Sequence, residues 1–180
     1  GFFPNIGTGN QSAYNSVDAP LWFFWCIQQY AYINNARTEV WNLYSKVMKQ
    51  ILDTFAEGTD NVRMDSNYLL WQSQSGKALT WMDAIVDGVP VTPRNGYAVE
   101  INALWYNAVM FYRELAEIAC SDGESAKWDE FASVFPSSFK STFWSKEKGY
   151  LADCVNGAER DFSVRCNMIF AVSMPYTCLS

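Results

Sequence analysis

The chain has 180 residues, of which 49% are hydrophobic and 17% aromatic, and its net charge is −6 at pH 7. This length suits a single domain, residues 1–180, with a sizeable core. We expect no nucleic-acid partner, because an acidic surface without any Lys/Arg run repels phosphate backbones. We also expect no membrane association, because no apolar stretch is long and clean enough to span a bilayer. The N-terminal residues lack the basic region and apolar core of a signal peptide.

The aromatic residues allow two interpretations: there are eight Trp, ten Tyr and twelve Phe. They can fill a heavily packed core, or they can line a cleft whose flat apolar surfaces suit the faces of sugars. Composition by itself favours the core.

Histidine does not occur in the sequence, and cysteine occurs five times without any CxxC motif. The lack of histidine removes Ser-His-Asp and Cys-His nucleophiles and most zinc sites, so we expect neither a metal nor an organic cofactor. Any catalytic chemistry must then use carboxylates, or Lys or Tyr side chains. Cys26 and Cys120 lie in apolar helical patterns. We interpret them as buried thiols of a protein from a reducing, cytoplasmic compartment.

The first two predicted helices differ in polarity. Asp18-Ala19-Pro20 is typical of a helix start, with Asp as the cap and Pro in the first turn. The residues that follow are apolar nearly all round, which predicts a helix buried on every side. A second helix, roughly Thr38 to Glu57, is amphipathic and is ended by Gly58. Its apolar residues have three- and four-residue spacing and are Val40, Tyr44, Val47, Met48, Ile51 and Phe55.

Residues 59–98 are poor in helix signal and predict an irregular or short-hairpin insertion. Residues 67–84 read as an extended segment, a Ser-Gly turn and a second extended segment. Residues 87–98 read as a loop, because they contain two Pro and two Gly. Long ordered loops are usually functional.

Helix signals resume at residue 99. Residues 99–120 predict a helix that is apolar nearly all round in its first half, and residues 124–139 predict a shorter amphipathic helix. Another loop is predicted over 143–162. A last, mostly apolar helix is predicted to stop at Pro175.

Apolar and amphipathic helices therefore alternate, as an all-α solenoid or toroid with inner and outer helices requires. In such a ring the loops that lead into the inner helices gather at one end. We expect the polar residues near those helix starts to converge there and to form a pocket. These residues are Asn15, Asp18, Asp83, Arg94, Glu100, Asn102, Arg165 and Asn167.

Asp83, in the stretch "LTWMDA", is the candidate for acid chemistry. Glycoside hydrolysis needs two carboxyl groups, one of them protonated, and burial beside an apolar ring raises the pKa of an acid. Trp81 and Met82 could supply that burial. The alternative is a loop Asp that accepts hydrogen bonds from backbone amides. We expect Trp81 to be a sugar platform, because it lies beside the candidate acid.

The remaining candidates have structural alternatives. Asp18 can cap its helix or bind a sugar hydroxyl. Glu100 and Asn102 open an apolar helix, where a buried carboxylate needs a partner, and Arg94 is one candidate. The Arg94–Glu100 pair is therefore structural, ligand-directed or both. Arg165 and Asn167 at the last helix present the same choice.

Four spaced motifs resemble the amylo-α-1,6-glucosidase domain of glycogen debranching enzymes. They are "YNSVDAPLWFFWCIQQY", "LTWMDA", "PVTPRNGYAVEINALWYNA" and "GYLADC…SVRCNMIFAVSMP", in family order over nearly the whole chain. The resemblance implies an (α/α)6 barrel and inverting hydrolysis of the α-1,6-linked glucose at a branch of glycogen or a limit dextrin. It implies that Asp83 is the general acid and that branched α-glucan is the partner.

The resemblance also implies parts that these residues do not supply. The family domain is longer, so the chain is expected to be its central segment, with a "GRD"-type motif before it and the general base after it. The family usually has Pro where this chain has Cys166. A backbone N–H and a free φ at that position put the orientation of Arg165 in question.

Two other functions stay open. The chain could be an incomplete or divergent relative that only binds oligosaccharide, or that forms homo-oligomers through an exposed toroid edge. It could also belong to a related (α/α)6 glycosidase that acts on another α-glucoside, because such enzymes share an inner-helix start like "VEINAL".

Overall fold

The structure is a computed structural model that describes residue 3 and residues 16–179. About half of this part of the chain is helical. The helices are α1 (Asp18–Ile33), α2 (Arg37–Glu57), α3 (Val99–Ile118), α4 (Asp122–Ala126), α5 (Asp129–Phe143) and α6 (Phe170–Ser173), and a 3₁₀ turn, Cys166–Ile169, leads into α6. None of the described helices has the length and apolarity to cross a membrane.

Short antiparallel strands occupy both predicted loops. They are β1 (Val62–Met64), β2 (Leu70–Gln72), β3 (Ile85–Val86), β4 (Val89–Pro90), β5 (Tyr97–Ala98), β6 (Trp144–Ser145), β7 (Tyr150–Leu151), β8 (Cys154–Asn156) and β9 (Glu159–Asp161). Four of the pairs are hairpins, β1–β2, β3–β4, β6–β7 and β8–β9, and β5 joins the last of them in a three-stranded sheet. The predicted hairpin insertion is confirmed, although no second strand follows the Ser-Gly turn directly. The β5–β8–β9 sheet brings the two loop regions together.

Helix α3 is the centre of the fold. Its side chains are buried from Val99 to Val109, as the predicted apolar helix requires. Helices α1, α2 and α5 and the turn before α6 all pack against it. A long apolar helix surrounded in this way contributes a large share of the buried core residues.

Aromatic rings fill much of this core. Phe131, Phe135, Phe139 and Phe143 repeat every four residues along α5, and all four are fully buried. Neighbouring ring centroids lie 4.7–6.0 Å apart. Tyr106 of α3 stacks on Phe135 with a centroid distance of 5.1 Å. The aromatic content therefore mainly serves packing, as the composition favours.

Helix α1 differs from its prediction on one side. Cys26, Tyr30 and Ile33 are exposed, because nothing in the described chain covers that face. On α2, Tyr44 and Val47 are also exposed, whereas the other four predicted core positions, Val40, Met48, Ile51 and Phe55, are buried. An apolar helix is buried on every side only where neighbouring elements surround it.

Three local predictions are wrong. Asp18 is the first residue of α1 and its side chain caps no amide; Ser16 Oγ accepts from Ala19 N at 3.2 Å and donates to Asp18 Oδ1 at 2.6 Å. Cys26 and Cys120 are exposed, because Cys26 lies on the uncovered side of α1 and Cys120 lies in the turn after α3, and the buried thiols are Cys154 and Cys178. The last helix is shorter than predicted, because its first turn is 3₁₀.

A substitution at Gly96 tests how closely the two loop regions pack, because Gly96 lies between Gln72 and Val155. Gly96 has φ +108°, it exchanges backbone hydrogen bonds with Gln72, and a Cβ there would lie 2.3 Å from the Val155 carbonyl oxygen. We expect Gly96→Ala to lower the free energy of unfolding in urea by about 2–4 kcal/mol. Gly76→Ala is the control, because Gly76 also has positive φ but has open space around it. It should lose only about 1 kcal/mol, and equal losses would contradict the steric explanation.

Candidate active site

A buried ion-pair cluster joins β5 and α3 to the β8–β9 hairpin. Arg94 donates through both terminal nitrogens to Glu100, with Nη2 2.6 Å from Oε2. Its Nε lies 2.8 Å from Asp153 Oδ2, and its Nη2 also donates to the Asp153 carbonyl oxygen at 3.1 Å. The three side chains are at most 3% exposed. One guanidinium thus pairs with two carboxylates away from water.

The charges in this cluster support one another. Burial opposes a charge on Arg94, but the hydrogen bonds that it donates to Glu100 and the charges of Glu100 and Asp153 hold the pKa of the guanidinium above its usual value. Burial raises the pKa of the Glu100 carboxyl, and its hydrogen bonds from Arg94 act against that shift. A charge buried this deeply requires its partners in place, so each member fixes the position of the others.

Asp153 extends the cluster toward the surface. Its Oδ2 also accepts from Arg165 Nη1 at 2.6 Å, and the same nitrogen lies 2.6 Å from Asp161 Oδ2. Its Oδ1 accepts from Asn167 Nδ2 at 2.7 Å. Partial burial works against ionisation of Asp161, but the hydrogen bond from Arg165 lowers the pKa of its carboxyl to about 2. These contacts fix Arg165 and Asn167 although Cys166 stands between them.

Trp81 is held at the outer end of this chain of contacts. Its indole Nε1 donates to Asn167 Oδ1 at 2.9 Å, and 51% of the surface of the residue is exposed. Most large aromatic residues of this protein are in the core. An exposed indole whose N–H is fixed by a hydrogen bond presents a rigid flat face to a ligand.

Asp83 lies two residues beyond Trp81 and is exposed. The backbone before it is anchored on both sides, because Met82 N donates to Thr80 Oγ1 at 3.4 Å and Thr92 Oγ1 donates to the Met82 carbonyl oxygen at 3.2 Å. The expected burial of Asp83 beside Trp81 and Met82 is wrong. The two neighbours point their side chains toward Asn167, so neither covers the carboxyl group.

The structure divides the other predicted residues into two groups. Arg94, Glu100, Arg165 and Asn167 form one connected network that ends at Trp81, as described above. Asn102 instead makes structural contacts, because its amide bonds the N–H and the carbonyl of Leu70 at 2.8 and 3.1 Å.

The start of α1 lies beside the same region. Val17 N donates to the Leu79 carbonyl oxygen at 2.9 Å, next to the "TWMDA" segment. Asp18 is buried and accepts a hydrogen bond from Ser16 Oγ. The prediction for Asn15 falls outside the described residues.

Asp153 is the site residue that the sequence analysis missed, because it lies in a segment interpreted as a loop. The sequence signal for Asp153 is an excess of arginines over carboxylates among the predicted site residues. Arg94 and Arg165 both lie near predicted buried helix starts, whereas only Arg94 has a carboxylate, Glu100, as its predicted partner. Two arginines near a core need more than one carboxylate. The described residues hold no group of three or more His, Cys, Asp and Glu side chains suited to a metal ion.

Comparison with known proteins identifies the family. The sequence profile of the amylo-α-1,6-glucosidase family matches residues 1–180, so the chain belongs to this family of glycosidases. The resemblance found in the four motifs is thereby confirmed. None of the curated proteins compared with the chain matches it.

Removing the central cation should destabilise the whole fold. Arg94→Met leaves Glu100 and Asp153 buried without their partner, and we expect a loss of about 3–5 kcal/mol in the free energy of unfolding. Lys49→Met is the control. Lys49 is 42% exposed and pairs with Asp53 and Glu124 on the surface, so its loss should be about 1 kcal/mol or less. Urea titrations followed by circular dichroism would measure both, and a small loss for Arg94→Met would refute the central role of the cluster.

Proposed function

We propose that this chain carries the acid half of an α-1,6-glucosidase active site, with Asp83 as the general acid and Trp81 as the platform for the glucose ring. One observation supports this assignment most strongly: the half-exposed Trp81 indole, fixed by Asn167, stands two residues from an exposed carboxyl group. Family membership supports the reaction class. The branched α-glucan of glycogen or limit dextrin is the proposed substrate.

The chemistry follows from this pairing. The apolar face of a glucose ring packs on the indole and brings the glycosidic oxygen toward Asp83. Protonated Asp83 gives its proton to the departing O6 while positive charge develops on the ring. In an inverting enzyme a second carboxylate, about 6.5–9.5 Å away, activates water on the opposite face of the sugar. We propose that this base lies outside the 180 residues.

A general acid must hold its proton at the working pH, and contact with water favours the ionised form of a carboxyl group. We therefore propose that the bound glucan and further parts of the barrel cover Asp83 and remove water from it. The exposed apolar residues of α1 and α2 support a larger assembly of helices, because Ile33 is 78% and Leu43 63% exposed. These helices would then form part of an (α/α)6 toroid.

The five free thiols support a cytoplasmic location.

The same exposed residues favour a second candidate function. A chain with an open apolar edge can associate with itself or bind oligosaccharide without hydrolysing it. Sedimentation of the purified chain distinguishes these possibilities, since a monomer at high concentration would remove self-association as an explanation.

Trp81→Ala tests the platform. We expect the affinity of the chain for a branched limit dextrin, measured by isothermal titration calorimetry, to fall about tenfold, which corresponds to roughly 1.4 kcal/mol of lost stacking. Trp144→Ala is the matched control. Trp144 is 39% exposed in β6, outside the network that holds Trp81. Equal effects of the two substitutions would argue against a specific platform.

Asp83→Asn tests the acid. In the protein that contains the complete domain, we expect glucose release from limit dextrin to fall about 10²–10⁴-fold, because the amide group is too weakly acidic to protonate the leaving oxygen. Dextrin affinity should stay within about twofold. Asp87→Asn is the control: Asp87 is an exposed carboxylate four residues away with φ +51°, a conformation that Asn also accepts. Glucose release near the wild-type rate in Asp83→Asn would eliminate Asp83 as the acid.

A further inference from the structure

The candidate acid stands at the root of a hairpin that has little support of its own. Strands β3 and β4 pair through two residues each. Residues 83–89 are all exposed, and Ile85 and Val86 are 55% and 61% exposed. A two-stranded hairpin without further packing is marginally stable in water. The position of Asp83 therefore depends on contacts at the base of the hairpin.

The strand that leads to Asp83 is held mainly through the side chains before it. Trp81 Nε1 donates to Asn167 Oδ1 at 2.9 Å, and Asn167 Nδ2 lies 3.4 Å from Met82 Sδ. Met82 N also donates to Thr80 Oγ1 at 3.4 Å, which orients the peptide unit before Met82. None of these three contacts orients the next peptide unit, the one that joins Met82 to Asp83.

Thr92 supplies that contact from the strand that returns from the hairpin. Its hydroxyl donates to the Met82 carbonyl oxygen at 3.2 Å. This oxygen belongs to the peptide unit between Met82 and Asp83. Because a peptide unit is planar, holding its oxygen orients the whole plane, including the amide of Asp83. The acid then keeps only the rotations about its own backbone and side-chain bonds.

Thr92 is itself attached to the core. Pro93 follows it with a restricted φ, and Arg94 comes next, in the buried cluster described above. On the other side of Thr92, Val91 N donates to the Ala84 carbonyl oxygen at 2.9 Å and closes the hairpin just beyond Asp83. The Thr92 hydroxyl is therefore a firmly held group beside a weakly supported strand.

We propose that Thr92 is a positioning residue for the general acid: its hydroxyl orients the Met82–Asp83 peptide unit and so directs the Asp83 carboxyl group toward the glycosidic oxygen. Thr92 touches neither the sugar nor the transferred proton in this role. The inference rests on the function proposed above, because it requires Asp83 to be the acid. A displacement of about 1 Å can cost on the order of 10²-fold in rate, so one hydrogen bond can matter more to turnover than to stability.

Thr92→Val tests this role, because it removes the hydroxyl and keeps the shape of the side chain. In the protein that contains the complete domain, we expect kcat for glucose release from limit dextrin to fall about 10–100-fold, with KM within about twofold. Thr92→Ser restores the hydroxyl and should bring kcat to within about threefold of wild type. Thr54→Val is the matched control. Thr54 Oγ1 donates to the Gln50 carbonyl oxygen at 2.7 Å in α2, so the same bond is lost outside the hairpin, and kcat should not change.

Hydrogen exchange of the 180-residue chain reports the same bond without any activity. We expect the Val91 amide to exchange about tenfold faster in Thr92→Val, because the base of the hairpin opens more often. The Leu104 amide, in the middle of α3, should exchange at the wild-type rate and shows that the variant is folded. An unchanged rate at Val91 would show that the hydroxyl does not hold the hairpin and would overturn the inference.

The kinetic outcomes are equally decisive. Wild-type kcat in Thr92→Val, or a loss in Thr92→Ser as large as in Thr92→Val, refutes the positioning role. A raised KM with unchanged kcat makes Thr92 a substrate contact and refutes it as well. Asp83→Asn separates the two proposals: if it abolishes glucose release while Thr92→Val does not, Asp83 stands as the acid without Thr92. If Asp83→Asn releases glucose at the wild-type rate, both proposals fail.

Discussion

The pairing of Arg94 with Glu100 and Asp153 is the interaction on which the site depends. These side chains come from the loop before β5, the first turn of α3 and the β8–β9 hairpin, and none of them is more than 3% exposed. Removing one partner would leave a buried charge uncompensated, which is far more costly than breaking a surface pair. The cluster therefore ties two irregular regions to the central helix. Precise placement of loop residues becomes possible because their support lies in the core.

Asp153 connects the buried cluster to side chains nearer the surface. One of its oxygens serves Arg94 and Arg165, and the other accepts from Asn167, which in turn fixes Trp81. The Trp81 indole and the Arg165 guanidinium thus share one buried support, so their positions are fixed relative to each other.

Helices α1 and α2 each leave an apolar side exposed to solvent. Helix α3 is surrounded by other elements, whereas α1 has neighbours on one side. Soluble proteins seldom leave such surface open without a partner, whether that partner is another helix of a ring or a second chain. Asp83 is exposed as well.

Local pattern by itself determined the family, the three main helices and the location of the insertion, because periodicity, helix-ending residues and spaced motifs are encoded in short stretches such as residues 99–118. It also selected Arg94, Glu100, Trp81 and Asn167 as residues of one region. The tertiary structure alone decided what these residues do to one another. The hub at Asp153, the structural role of Asn102 and the exposure of Asp83 and Cys26 depend on contacts between segments far apart in sequence. Burial and pairing are properties of the packed chain, and local periodicity carries no information about which distant carboxylate meets which arginine.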